Sequence, residues 1–238
     1  MKNFLRRSAV TSFALISSIS FGQSLNFNGG FTTSSLRMEE KQDYKSTETF
    51  NGASYTSSYK QKNLSGFNVA IGYEFKLGNR LSLETGLKYQ TRGMKTDNKW
   101  RYIEGDQSAE SFSESKWKIN YLDLPIVLNT AILTGDVRVY VRTGVYVGTV
   151  MGGKITERYK FNSSDGNKGS SESSKKIFES DMEGMRFTGG VVFGAGVEYK
   201  GIYFETNYNV GTFSLRELDA NIYTQDLSFS LGYKLKFN

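Results

Sequence analysis

LSFSLGYKLKF, residues 227–237, alternates apolar and polar side chains without interruption. The apolar positions are Leu227, Phe229, Leu231, Tyr233, Leu235 and Phe237, and the intervening ones are Ser228, Ser230, Gly232, Lys234 and Lys236. Successive side chains of an extended strand point to opposite faces, so this period of two predicts a β-strand with one apolar and one polar face. We expect it to be the closing strand of a barrel, because a last strand that ends in Phe is typical of bacterial outer-membrane barrels.

The same alternation recurs in earlier segments and gives eight predicted strands in all. They are residues 25–38, 64–77, 81–90, 116–132, 137–148, 187–199, 202–213 and 227–237. The chain has 25 Gly, one Pro and 14% aromatic residues, a composition that suits many strands joined by tight turns. The sequence therefore predicts an all-β fold.

The connections between the predicted strands alternate between long polar stretches and short turns. The long ones are residues 39–62, 95–115 and 152–185, with a moderate one at 215–223, and the short turns are Gly78-Asn79, Thr134-Gly135 and Lys200-Gly201. Outer-membrane barrels have an even number of antiparallel strands, short periplasmic turns and longer extracellular loops. The sequence therefore predicts an eight-stranded antiparallel up-and-down transmembrane β-barrel with long extracellular loops and short periplasmic turns.

Alternation alone does not decide which face is outside, because a soluble barrel turns its apolar face inward. The polar phase is rich in glycine, for example Gly72, Gly86 and Gly144, which suits a narrow interior where small residues make room for large ones. Aromatic residues of the apolar phase gather near strand ends, as in interfacial girdles. We therefore expect the apolar face to contact lipid. A soluble, lipocalin-like periplasmic ligand binder is the alternative.

Charged residues of both signs fall on the predicted inner face. They are Glu74, Glu84, Lys88, Arg138, Arg142, Glu198, Glu205 and Lys234. Buried charges must pair and accept or donate hydrogen bonds, so we expect a salt-bridged network with a structural role. The alternative is a wet lumen, which would make the protein a narrow porin-like or hydrophobic-compound channel.

The N-terminal segment has the features of a secretory signal peptide. Lys2, Arg6 and Arg7 precede a mostly apolar stretch, and Ser20-Phe21-Gly22 gives a small-x-small cleavage pattern before Gln23. We predict a signal peptide at residues 1–22 and a mature barrel domain at 23–238, exported to the outer membrane. Removal of the signal lowers the formal net charge from +6 to +3, and no nucleic-acid partner is expected of an exported protein.

A short phrase in the fourth predicted strand resembles a known family. INYLDLPIVL, residues 119–128, resembles the YLEIPLL signature of the PorT-like outer-membrane β-barrel family, which is abundant in Bacteroidota. GYEF at residues 72–75 and the Val- and Gly-rich fifth strand fit the same pattern. Asp123 stands where the family usually has Glu, and alternation turns it inward, which adds it to the lumen network. The resemblance implies the fold and the location but no shared chemistry.

Composition argues against an enzyme. The chain has no His and no Cys, so it lacks the commonest general base, the commonest metal ligand and every thiolate. We expect no catalytic residues, no cofactor and no metal site.

The long loops are the predicted interaction surface. They carry aromatic residues among polar ones, as binding surfaces often do, at Tyr55, Tyr59, Trp100, Tyr102 and Phe112. The expected partners are outer-membrane lipid and lipopolysaccharide, the barrel-assembly machinery through the C-terminal strand, and an unidentified envelope or extracellular protein. The predicted function is that of a non-enzymatic barrel with a structural or loop-mediated interaction role.

Overall fold

The computed structural model describes residues 23–38, 43–177, 187–212 and 222–237, and these ranges form ten antiparallel β-strands. The strands are β1 (Gln23–Met38), β2 (Tyr44–Phe50), β3 (Ala53–Lys76), β4 (Leu81–Glu104), β5 (Gln107–Leu133), β6 (Val137–Ser163), β7 (Lys168–Lys176), β8 (Phe187–Tyr199), β9 (Ile202–Gly211) and β10 (Ile222–Phe237). No helix within these ranges is long and apolar enough to cross a membrane. The predicted signal peptide and parts of the predicted loops at 152–185 and 215–223 lie outside the described residues.

The strand pairing closes on itself. β1 pairs with β10 along one edge, from Gln23↔Phe237, and with β3 along the other, from Gln23↔Phe75. The ring runs β1-β10-β9-β8-β6-β5-β4-β3 and returns to β1. β2 and β7 lie outside the ring, because β2 pairs with β3 and β7 pairs with β6. A closed ring leaves no unpaired sheet edge, the condition for spanning lipid with strands.

The predicted loops are the main error of the sequence reading. Most of 39–62 and 95–115, and the described part of 152–185, form strand, so the structure has ten strands where the sequence predicted eight. These segments carry polar side chains on both faces. Their sequences therefore show no alternation of apolar and polar residues, although the backbone is extended. Asn51-Gly52, between β2 and β3, has positive φ at both residues, 50° and 81°. This is the Asn-Gly hairpin turn that the sequence analysis overlooked.

The extensions form a second part of the molecule above the ring. The upper halves of β3, β4, β5 and β6 continue past it, flanked by β2 and β7, in the order β2-β3-β4-β5-β6-β7. We call this six-stranded part the projecting sheet, and we call the end with the short turns the lower end. A bulge between Asn63 and Asn68 of β3 marks the transition.

The ring carries apolar side chains outside and polar ones inside. Exposed side chains include Phe67, Val69, Ile71, Leu87, Leu124, Ile126, Val145, Phe193, Phe204 and Leu231. Buried polar ones include Asn26, Thr32, Asn68, Glu74, Gln90, Asn129, Asn207, Ser228 and Ser230. The faces are therefore the reverse of those in a lipocalin-like barrel, and the soluble alternative does not fit the structure.

The outer apolar surface has the height of a membrane. On β5 it runs from Leu122 to Ile132, ten residues apart in SEQ numbering, or ~33 Å along the strand at ~3.3 Å per residue. A tilt of ~40° reduces this to a height of ~25 Å, the value of the lipid-facing band of outer-membrane barrels. We call this surface the apolar belt.

Candidate functional site

Ion pairs fill the inside of the ring in three layers. The lower layer contains Glu74, Glu198, Arg138 and Lys234; the middle layer contains Glu84, Glu205 and Arg142; the upper layer contains Asp123, Asp226 and Arg92. Alternation along the strands aims all of them inward, because each lies in the phase opposite to the apolar belt.

In the lower layer, two carboxylates share several cations. Glu74 contacts Lys234 Nζ at 2.6 Å and Arg138 Nη1 at 3.0 Å. Glu198 contacts the same Lys234 at 3.3 Å and the half-exposed Lys236 at 2.6 Å. Lys234 therefore bridges β3 and β8 from its place on β10, and the layer ties the closing strand to the rest of the ring.

The middle layer has two carboxylates around one guanidinium. Arg142 Nη2 lies 3.0 Å from Glu84 Oε1, and Arg142 Nη1 pairs with Glu205. Side-chain amides supply the remaining hydrogen bonds: Asn129 donates to Glu84 at 3.1 Å, and Asn207 donates to Glu205 at 3.1 Å. Arg142, Glu84 and Glu205 are all buried.

The upper layer is centred on Arg92, one of the most buried side chains of the molecule, with 1% exposure. Its Nη2 lies 2.8 Å from Asp123 Oδ2, and its Nε lies 2.6 Å from Asp226 Oδ2. Gln90 donates to Asp123 at 2.6 Å, and Asn209 donates to Asp226 at 2.6 Å. Arg92 therefore links β4 to β5 and β10, and the hydrogen bond from Asn209 adds β9.

Tyrosine rings pack against the buried cations. The ring centroids of Tyr140 and Tyr203 lie 5.0 and 5.1 Å from Nζ of Lys234. Those of Tyr121 and Tyr146 lie 5.2 and 4.8 Å from Cζ of Arg92. A cation over an aromatic face is attracted by the ring quadrupole, most strongly where water is excluded. Gly196 faces the ring of Tyr140 and Gly232 faces that of Tyr203. The inner glycines therefore make room for large side chains.

The structure places all nine predicted lumen residues inside the ring. Lys88, the one that forms no ion pair there, donates to Ser228 at 3.3 Å. Arg92 and Asp226, which complete the upper layer, were not predicted from the sequence. Each is the next inward-facing residue of its strand: Arg92 follows Gln90 by two residues on β4, and Asp226 precedes Ser228 by two residues on β10. Extending the alternation by two residues would have found them.

Little space remains among the three layers. The cavity lined by Lys88, Arg92, Asp123, Arg142 and Glu205 has a volume of about 40 Å³. A site needs ~10–15 Å³ of such volume to hold one water molecule, so this cavity has room for only a few. Above it, Leu36, Met94, Ile119, Tyr121, Val150 and Ile177 form a buried apolar cluster. Within the described residues, side chains fill the lumen at the middle and upper layers, and a cavity of about 210 Å³ remains at the lower end, beside Glu74 and Lys234.

The five predicted loop contacts lie on strands of the projecting sheet and do not share one surface. Tyr55, Trp100 and Tyr102 form an aromatic group, with ring centroids 5.0 Å apart for Tyr55 and Tyr102 and 6.3 Å apart for Trp100 and Tyr102. Tyr59 is buried. Phe112 lies on the opposite face. It pairs with Lys99 of β4, whose ammonium lies 5.7 Å from the Phe112 ring centroid, and Lys99 points away from the face of its neighbour Trp100.

Tyr102 and Lys62 of the projecting sheet have raised pKa values. The hydrogen bond that Tyr102 donates to Glu104 raises the pKa of Tyr102 to about 12. The hydrogen bond and charge of Asp97, 2.6 Å away, raise the pKa of Lys62. Both effects keep these groups in their ordinary protonation states at neutral pH, so neither residue is prepared for proton transfer.

A cavity of about 950 Å³ crosses the projecting sheet, with lining residues from all six of its strands. Lys45, Lys99, Lys160 and Lys168 contribute positive charge, and Phe112 contributes an aromatic surface. Its size is that of a ligand pocket. Within the described ranges, no group of three or more acidic residues is placed to hold a metal ion.

Residues 7–218 match the model of a family described as "Outer membrane protein beta-barrel domain". The chain belongs to this family. Membership in the outer-membrane β-barrel family implies a location in the outer membrane, whereas the PorT-like resemblance of residues 119–128 is narrower and stays a prediction. Among curated proteins, none matches significantly.

Solved structures of other outer-membrane proteins are similar at low identity. Ail, the attachment invasion locus protein of Yersinia pestis, is 13% identical with a TM-score of 0.35, over 90% of this chain and 99% of that chain. OprG from Pseudomonas aeruginosa is 13% identical with a TM-score of 0.37, over 89% and 95%. Neisserial surface protein A is 10% identical with a TM-score of 0.34, over 90% and 97%. At these scores the similarities add nothing to what family membership shows.

Proposed function

We propose that this outer-membrane β-barrel protein is a non-enzymatic anchor that presents the projecting sheet to a partner outside the cell. The ring of eight strands is the membrane-spanning unit, with its short turns in the periplasm. The observation that carries the proposal is the length of β5, which has 27 residues and is ~90 Å long at ~3.3 Å per residue. Crossing the apolar belt takes only ~33 Å of that length.

The filled lumen supports a role as an anchor. Its carboxylates are held in ion pairs with arginine and lysine, and the space between the layers is about 40 Å³. A passive channel would need a continuous path of water, for which the described part of the ring has no room. The absence of His and Cys from the sequence also supports a non-enzymatic role.

Export and assembly belong to the same proposal. β1 begins at Gln23, the residue that follows the proposed signal-peptide cleavage. β10 alternates strictly up to Phe237 and pairs with β1. We propose that the barrel-assembly machinery binds this strand before the ring closes, and that the chain is a PorT-like member of its family on the strength of residues 119–128.

Cysteine labelling tests the orientation of the barrel. The sequence has no Cys, so single variants give a clean signal. Asp106 and Asp136 are exposed turn residues at opposite ends of β5. In intact cells, we expect a membrane-impermeant maleimide to label Asp106→Cys and to label Asp136→Cys only after the outer membrane is permeabilised.

The two variants are matched controls for each other, because both replace an exposed aspartate by cysteine and they lie at opposite ends of the same strand. Equal labelling of both in intact cells would contradict a membrane-spanning ring. Labelling of Asp136→Cys alone would place the projecting sheet in the periplasm and overturn the proposed function.

A further inference from the structure

Two rows of lysines cross the base of the projecting sheet. Lys62, Lys95 and Lys116 lie directly opposite one another on β3, β4 and β5. In the next row, Lys118, Lys154 and Lys176 lie directly opposite one another on β5, β6 and β7. We call these six residues the lysine band. Like charges in directly opposed positions of a sheet are destabilising, so this arrangement opposes folding unless an anion compensates it.

The lysine band lies on the outer face, just above the apolar belt. On β5, Lys116 and Lys118 continue the phase of the lipid-facing residues Leu122, Leu124 and Ile126, and both lysines are exposed. Lys118 is four residues above Leu122, which is ~13 Å along the strand and ~10 Å in height at a tilt of ~40°. This height is where the headgroups of the outer leaflet meet the protein.

The carboxylates of the sheet neutralise only part of the positive charge of the lysine band. Asp97 pairs with Lys62 at 2.6 Å, and Glu114 pairs with Lys95 at 2.6 Å. Lys116, Lys118 and Lys154 have no carboxylate partner within the described part of the chain. Three neighbouring ammonium groups are therefore available to an anion from the membrane side.

A cavity of about 480 Å³ lies at the same place. It is lined by Asn63 and Ser65 of the β3 bulge, by the cations Lys95, Lys116, Lys154 and Arg158, and by the carboxylates Glu114 and Glu172. The bulge interrupts the pairing of β3 with β4 and leaves Asn63 and Ser65 exposed, so they offer hydrogen bonds to sugar hydroxyls. The combination of lysines with neutral polar groups suits a phosphorylated saccharide.

We infer that the lysine band binds the phosphate groups of the outer-leaflet glycolipid, lipopolysaccharide. The inference rests on the proposed membrane-spanning ring, which sets the height of the band. The apolar belt below contacts the acyl chains of the same lipid molecule, so one ligand satisfies both surfaces. A lysine ammonium binds phosphate as a point charge, and basic residues close to a membrane surface contribute to binding anionic headgroups.

Binding of purified lipid A to the folded protein in detergent tests the inference. The variant Lys116→Gln/Lys118→Gln/Lys154→Gln removes the three uncompensated charges. The control Lys45→Gln/Lys160→Gln/Lys168→Gln removes three exposed charges higher on the sheet and gives the same net charge. We expect the first variant to bind bisphosphorylated lipid A roughly 10- to 100-fold more weakly than the parent protein. We expect the control to differ from the parent by about twofold at most, because charges beyond ~10 Å are screened at 0.1 M salt.

Two further probes identify the source of the phosphate. Dephosphorylated lipid A is expected to bind the parent and both variants equally weakly, and inorganic phosphate alone to bind none of them measurably. Equal loss in the two triple variants would reduce the effect to net charge and overturn the inference. Tight, Lys116-dependent binding of inorganic phosphate alone would also overturn it, because the site would then serve a soluble anion. The two tests are independent. If lipid A binding does not depend on the lysine band but the Asp106→Cys and Asp136→Cys variants label as expected, the inference fails and the proposed function stands.

Discussion

Replacing Arg92 by Met is expected to lower the free energy of unfolding by about 3–5 kcal/mol, the range for breaking a buried ion pair. Arg92 is the only cation within 4 Å of Asp123 and Asp226 in the described structure, and all three side chains are buried. Met fills most of the arginine volume, so the loss comes from leaving two carboxylates without a positive charge. Urea unfolding of the protein in lipid vesicles, followed by tryptophan fluorescence, measures the change.

Two further variants separate the buried charge from other effects. Arg101→Met breaks the pair with Glu110, whose two side chains are more than half exposed, so we expect a loss of about 1 kcal/mol at most. Arg92→Met/Asp123→Asn/Asp226→Asn removes all three charges of the upper layer and is expected to recover most of the stability. An Arg92→Met variant as stable as the parent would show that the layers do not hold the ring together.

Replacing Gly86 by Leu is expected to prevent the ring from closing or to destabilise it by about 3 kcal/mol, at the upper end for overpacking. Gly86 lies on the inner face of β4, and a Cβ atom there would overlap the backbone of Ile71 and Gly72 on β3. Backbone atoms of a paired strand cannot move aside as a flexible side chain can. The yield of folded protein after refolding into detergent, and its urea midpoint, measure the effect.

Gly29→Leu is the matched control for Gly86→Leu. A Cβ atom at Gly29 has no neighbour nearer than 3.7 Å, an ordinary van der Waals distance. Gly29 lies between Phe27 and Phe31 in sequence and in their outward phase on β1, so an added leucine contacts lipid. We expect this variant to fold with parental yield. Equal yields from both leucine variants would mean that the ring adjusts its strand spacing freely, contrary to the close approach at Gly86.

The membrane part of the fold was predictable because one face of each strand is in lipid. Residues 227–237 and 67–76 alternate strictly, and the structure has them in β10 and β3 with the predicted faces. The projecting sheet was not predicted, because residues 95–115 are polar in both phases and a solvated two-sided strand has no period-two signal. The Asn51-Gly52 turn was the available clue.

The lumen was predictable from the same alternation, and the lysine band was not. Glu74, Arg142 and Lys234 can be assigned inward from their own strands without knowledge of their partners. In contrast, the clustering of Lys62, Lys95 and Lys116 depends on the register between three strands. Register across long hairpins depends on turns and bulges, such as the bulge at Asn63, that the sequence does not reveal.

The measurement that tests the account most directly is the electrophoretic mobility of the mature protein from isolated outer membranes, with and without boiling. A closed ring with an ion-paired lumen resists detergent, so we expect the protein in the outer-membrane fraction and a clear change in mobility on boiling. A soluble periplasmic protein with the same mobility in both samples would contradict the membrane-spanning barrel, and the proposals built on it would fall with it.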